Sequence, residues 1–209
     1  PALRNDVDAF IKQEALHSRH HAAFNQRLGE FGADVAAFTA LGRTAWQEAM
    51  AGRDARQQLA MIVAAEHLIH ELSIVGLSTP QILADTHPEV RRLLTWHMVE
   101  EVEHQSVSLD VYRHLYGDGP SDWATHTASL WAASGVFLRY SARIQRVLLG
   151  LGESPTRSQR IQYQRFLWSD PGILRRVLLR TARHALPWSR TWSDPREVEL
   201  IRTPVERPA

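Results

Sequence analysis

The chain has 209 residues, 44% of them hydrophobic, and a formal net charge of +1. That supports one sizeable core and argues against disorder. No cysteine is present, which excludes disulfides, thiolate zinc sites, iron–sulfur clusters and a cysteine nucleophile, and leaves any metal to imidazole and carboxylate.

The charge is unevenly spread. Pro1 to Gly119 holds 10 basic and 16 acidic residues, whereas Pro120 to Ala209 holds 14 basic and 7 acidic. The basic half would suit an acidic partner, an anionic membrane surface or a phosphorylated ligand; the plainer expectation is that the two halves neutralise each other in the fold. Pro1 to Phe10 is polar and acidic, with no apolar core of a secretory signal. Leu130 to Leu151 reads as the most apolar long stretch, but Arg139, Arg143 and Arg146 interrupt it and make it a poor spanning helix. A cytoplasmic chain without a transmembrane segment is the expectation.

Helical periodicity dominates, and no run alternates as a half-buried strand would. Asp6 to Phe31 reads as a first helix, ending at Gly29 or Gly32. Asp34 to Ala51 follows, stopped by Gly52. A third helix runs from Asp54, a plausible cap, to Val75, with Gly76 as its stop. Thr79-Pro80 opens a short helix. Pro88 to Tyr116 reads as one long helix, ended by Gly117-Asp118-Gly119-Pro120, the strongest break in the chain. Asp122 to Leu151 is another. Ser154-Pro155 opens a helix to about Trp168, and Asp170-Pro171 one to about Leu186; the tail from Pro187 reads as irregular. The predicted class is all-α: an antiparallel helix bundle in a single domain over 1–209, with the chemistry in 1–117, further helices in 120–186 and a tail over 187–209.

Chemistry-bearing residues recur on three of these helices. Glu14, His17 and His21 share a face of the first with Phe10 and Phe24. His97, Glu100, Glu101 and His104 cluster on the long helix beside Trp96. Glu66 and His70 lie four apart on the third helix, on a stripe with Leu59, Ile62 and Val63. An acid on an apolar stripe is costly to bury unless it is paired or ligates a cation. On one helix alone, a satisfied histidine or a solvated pair is the ordinary explanation. Three helices with the same chemistry shift the balance to a metal site, since carboxylate and imidazole suit divalent iron, manganese or zinc. His67, His87, His114, His126, His184, Glu71 and Glu103 stay with the ordinary explanation. Asp110 is either a partner that orients a ligand or a surface acid.

The run Phe10-x-x-x-Glu14-x-x-His17-x-x-x-His21-x-x-Phe24-Asn25, then Ala65-Glu66-His67, then Trp96-His97-x-x-Glu100-Glu101-x-Glu103-His104-x-x-Val107-x-x-Asp110-Val111-Tyr112 resembles bacterial proteins named predicted metal-dependent hydrolases, which are ferritin-like. The likeness runs from Ala9 to about Pro187-Trp188. It implies metal binding at Glu14, His17, Glu66, Glu101 and His104, with His21, His97 and Glu100 as additional or alternative ligands. Proteins of this kind usually carry an upstream helix preceded by a Gly-Glu motif, whose Glu completes a fourth wall; on that resemblance, this sequence is expected to begin too late to contain it. A three-walled site, or a chain that is a fragment, is the expectation.

A sulfur-free donor set on a bundle suits two iron or two manganese ions better than structural zinc. The leading expectation is an oxygen-activating oxidoreductase acting on a small, apolar organic substrate. Glu14, Glu66 and Glu101 would bridge the metals, His17 and His104 would cap them, and Trp96, Phe10 and Phe24 are candidates to line the pocket. The alternative is a metal-dependent hydrolase with His21 or Glu100 as general base, with iron, manganese or zinc bound. A third reading is a non-catalytic metal- or partner-binding bundle. A fourth is membrane-peripheral action on acyl chains, motivated by Leu130 to Leu151. No nucleotide loop or serine elbow occurs, nucleic acid is not an expected partner, and a homodimer is the candidate assembly.

Overall fold

A computed structural model describes residues 2–104, 106–149 and 154–184, the side chains of 103, 104, 148, 149 and 184 excepted. The described residues form an all-α helical bundle and contain no strand. The predicted tail from Pro187 lies outside them.

Helix α1 spans Ala2–Glu30, starting four residues before the predicted Asp6. Helix α2, Val35–Met50, is capped by the Asp34 carboxylate, which accepts from the Ala37 amide. Helix α3, Ala55–Leu77, opens with a full capping box between Asp54 and Gln57. A short 3-10 helix, Pro80–Leu83, follows. Helices α4, Pro88–His104, and α5, Val107–Tyr116, occupy what the periodicity presents as one long helix. Ser106, in the right-handed helical region, stands at the N-cap position of α5, and residue 105 between the two helices lies outside the described residues. Gly117, with φ +99°, ends α5 in the left-handed region that favours glycine. Helix α6 runs Pro120–Leu149, α7 runs Arg157–Trp168 behind a Thr156–Gln159 capping box, and α8 runs Ile173–His184.

Gly76 does not stop α3. It sits inside the helix, where a Cβ would come within 2.3 Å of the Met98 sulfur. The missing side chain lets α4 approach, so this glycine serves packing rather than termination.

Helix α3 is the central element and packs against α4, α5, α6 and α8. Its Met61, Ala64 and Leu68 join Ala49 of α2 and Leu130 and Ala133 of α6 in one apolar cluster. Ala60 and Val63 meet Leu109 and Tyr112 of α5 in a second. By length and composition α3 is apolar enough to cross a membrane, but 67% of that apolar window is buried inside the protein, as the core helix of a bundle requires. It, rather than Leu130 to Leu151, is the most membrane-like segment among the described residues.

Leu130 is fully buried and Trp131, next to it, is 51% exposed. Leu130→Ala should lower unfolding free energy by about 2–5 kcal/mol through lost burial and a cavity. Trp131→Ala should change it by less than about 0.5 kcal/mol. Urea denaturation of both variants checks this; equal losses would show that α6 is not seated as described.

Candidate metal centre

Three helices bring their polar residues to one place because each carries them on an otherwise apolar face. His17 of α1 is buried, as are Glu100 and Glu101 of α4; Glu14 of α1, Glu66 of α3 and His97 of α4 are half-buried. Donor atoms of His17, His97 and Glu101 lie within 4.8 Å of one another, and so do those of Glu14, Glu66 and Glu101. Glu101 is common to both groups. Its Oε1 is 3.5 Å from His17 Nδ1 and 3.2 Å from His97 Nε2. Glu14 Oε1 is also 3.5 Å from His17 Nδ1.

Each imidazole is held from behind. Glu100 Oε2 accepts from His17 Nε2 at 2.9 Å, which leaves Nδ1 turned towards Glu14 and Glu101. His21 Nε2 and His97 Nδ1 are 3.3 Å apart, which leaves His97 Nε2 turned towards Glu101. If His97 Nδ1 carries the proton and donates to His21, both ligand nitrogens present lone pairs to the same space. The Trp96 ring meets His17 edge-on at 5.2 Å and His20 at 4.7 Å. Trp96 is therefore a wall that seats α1 on α4.

The electrostatics follow from the crowding. Burial pushes Glu101 up to about 8, with Glu66 and Glu14 adding and His17 opposing. Burial likewise pushes Glu66 up to about 7, with Glu14 adding. Burial works to lower His17, but its contact with Glu14 and the charges of Glu101, Glu14 and Glu100 outweigh it, so its pKa is raised. His21 is lowered by burial and by His17 and His20. A divalent cation fits this donor set: it would replace repulsion among carboxylates with attraction and take up nitrogen and oxygen donors of the right kind.

Seven of the described sequence candidates meet here, and His70, buried on α3, belongs to neither donor group. Glu14, His17, Glu66, His97 and Glu101 form the two donor groups, while His21 and Glu100 stand behind the imidazoles. The His104 side chain lies outside the described residues. Asp110 is exposed and takes no part in the donor groups. Phe10 and Phe24 do not line the apolar cavity found beside α2 and α6, and neither does Trp96.

Sequence reasoning passed over a second buried polar group. Glu71 is 1% exposed, accepts from Arg180 of α8 and lies 3.9 Å from His67. The signal was present: Glu71 stands between Leu68 and Ile74 on an apolar helix, and α8 is rich in arginine.

The fold and site define an all-α protein with a buried carboxylate–imidazole cluster able to hold a divalent metal. The family model described as "Predicted metal-dependent hydrolase" matches residues 1–197, and the chain belongs to that family. No curated protein and no solved structure matches it.

Metal content gives the first test. Glu101→Ala should abolish binding of manganese or zinc, because Glu101 belongs to both donor groups; His126→Ala on α6 should retain it. Equal metal content in the two variants would refute the assignment.

The pKa shifts give a second test. A carboxyl raised in the fold holds its proton while the unfolded chain has lost it, so stability falls as pH rises from 4.5 through about 7 and about 8. The raised His17 acts in the same direction, stabilising below 6.5 and losing that contribution above it. His21, lowered, opposes both. In the presence of chelator the melting temperature should therefore fall between pH 5 and pH 8, by roughly the linkage of two carboxyls. Saturating divalent metal should remove the fall, since ligation requires the deprotonated form. A metal-free melting temperature that rises across that range would sink this picture.

Proposed function

We propose that the protein is a metal-dependent hydrolase that cleaves an acyl bond with a metal-activated water. The observation that carries this reading is the pair of donor groups sharing Glu101, in a chain whose family description is hydrolytic. A bound divalent ion would supply Lewis acidity and a water of lowered pKa.

The chain's own residues account for the rest of the chemistry. Glu14, Glu66 and Glu101 supply the negative charge that holds a cation. His17 and His97 supply nitrogen, each fixed in orientation by Glu100 or His21. Hydrolysis adds the water oxygen to the acyl carbon, breaks the bond to the leaving group and returns a proton to it. His21, half-buried at the edge of the cluster, is the candidate to accept and return that proton, in the step when its Nε2 is not accepting from His97. Glu100, buried behind His17, is the candidate to position that ring.

The oxygen-activating reading uses the same donors, and the family match favours hydrolysis over it. Purified protein should be loaded with iron, manganese or zinc in turn and assayed for ester hydrolysis and for oxygen consumption. Turnover of an ester by the manganese or zinc form supports the proposal. Glu100→Gln should lower kcat/KM by about 10–100-fold, the usual effect of losing a partner that orients a ligand. Oxygen consumption by the iron form, with no hydrolysis by any form, would overturn it.

A further inference from the structure

Helices α7 and α8 carry charge that the rest of the fold does not absorb. From Arg157 to His184 there are seven arginines, no lysine and one acid, Asp170. Arg180 is engaged by Glu71. The other six, Arg157, Arg160, Arg165, Arg175, Arg176 and Arg183, are exposed. Three of them donate to backbone carbonyls: Arg160 to Pro155, Arg175 to Ser169 and Arg176 to Pro171. Such bonds steady the side chains and leave their charge uncancelled.

Helix α7 is also thinly packed. Ten of its twelve residues are exposed, and Phe166 and Leu167 are half-buried, so its main support is α8. A helix of that length is marginal in water by itself, and its outer face is left to meet something else. That face is not purely polar. Ile161, 50% exposed, and Trp168, 45% exposed, are seven residues apart and so share a side. Arg157 stands four residues before Ile161 and Arg165 four after it, on the same stripe. Helix α8 repeats the pattern. Leu179, 58% exposed, lies three residues from Arg176 and four from both Arg175 and Arg183, within one turn of all three.

This mixture defines the chemistry of a partner. The cores of protein–protein interfaces are depleted of charge, whereas each exposed apolar side chain here has arginine within a turn. Nucleic acid would take the arginines and stack on Trp168, but it offers nothing to Ile161 and Leu179. An anionic lipid surface accepts the whole set. Its phosphates take the guanidinium groups, and its headgroup–acyl boundary takes the aliphatic side chains and the indole. Arginine stems can lie along the apolar layer while their heads stay in the polar one.

We propose that α7 and α8 form a docking surface for an anionic phospholipid bilayer, on which the protein lies without spanning it. The proposal is independent of the reaction at the metal centre.

Co-sedimentation of the full chain with vesicles tests it. Vesicles of phosphatidylglycerol mixed with phosphatidylcholine should bind the protein, phosphatidylcholine alone should not, and added salt should weaken binding by screening. Arg157→Gln, Arg160→Gln and Arg165→Gln together should weaken it on the order of 100-fold, at about fivefold per arginine. Arg4→Gln, Lys12→Gln and Arg19→Gln together remove the same charge from exposed positions of α1 and should retain binding. Ile161→Ser with Trp168→Ser keeps every charge and should weaken binding on the order of 10-fold; both positions are exposed, so this variant folds whether or not the arginine variant does. Equal losses in the α1 and α7 charge variants would reduce the effect to net charge and overturn the proposal. Binding to heparin or duplex DNA, with none to anionic vesicles, would overturn it in favour of a soluble polyanion.

Discussion

Mutual repulsion among buried carboxylates is the constraint around which this molecule is arranged. Glu14, Glu66, Glu100 and Glu101 converge on His17 from three helices. Two like charges about 4 Å apart at an effective dielectric of about 20 repel by about 4 kcal/mol. Burial first, and this repulsion on top of it, push Glu66 up to about 7 and Glu101 up to about 8. Such a cluster survives only because α3 is so thoroughly packed elsewhere: two apolar clusters and four neighbouring helices fix it regardless of what the glutamates do.

The same helix meets the same problem twice and answers it differently. Five residues beyond Glu66, Glu71 is more deeply buried still, and Arg180 of α8 answers its charge directly. That ion pair ties α8 to the core, and removing Arg180 would weaken what offsets the buried charge of Glu71. At Glu66 and Glu101 the charges that matter come from other glutamates and from His17. One carboxylate is neutralised by the chain and closed; the others stand open to something not encoded in it.

The helical class and most helix ends were legible because periodicity and caps act locally: Asp34, Asp54 and Gly117 do what their residue types imply. The metal-site residues were legible for a related reason, since spacing along a helix decides which side chains share a face. What failed was tertiary. Gly76 reads as a stop, and only its neighbour Met98 reveals it as a contact. Glu71 stays with the ordinary explanation for a helical acid because its partner Arg180 is 109 residues away. The cavity, too, was unreadable, being a gap among Gly and Ala side chains whose residue types fit ordinary helices equally well. Aromatic residues near the motifs drew attention instead, and Trp96 proved to be a wall.

The sequence also invites a simple resolution of its charge asymmetry, in which the basic half neutralises the acidic one. Arg180 with Glu71 and Arg56 with Asp122 do link parts of the chain in this way. Yet Arg157, Arg160, Arg165, Arg175, Arg176 and Arg183 are exposed on α7 and α8, and no arginine contributes to the shifts of Glu66 or Glu101. Exposed charges are screened by solvent within roughly 8 Å at physiological salt, so they cannot stand in for a cation inside the bundle. Net neutrality of the chain therefore hides a local deficit of positive charge. The donors that surround that deficit, three carboxylates and two imidazoles oriented from behind, are of the kinds that bind a divalent metal, whereas Glu71 is met by a guanidinium.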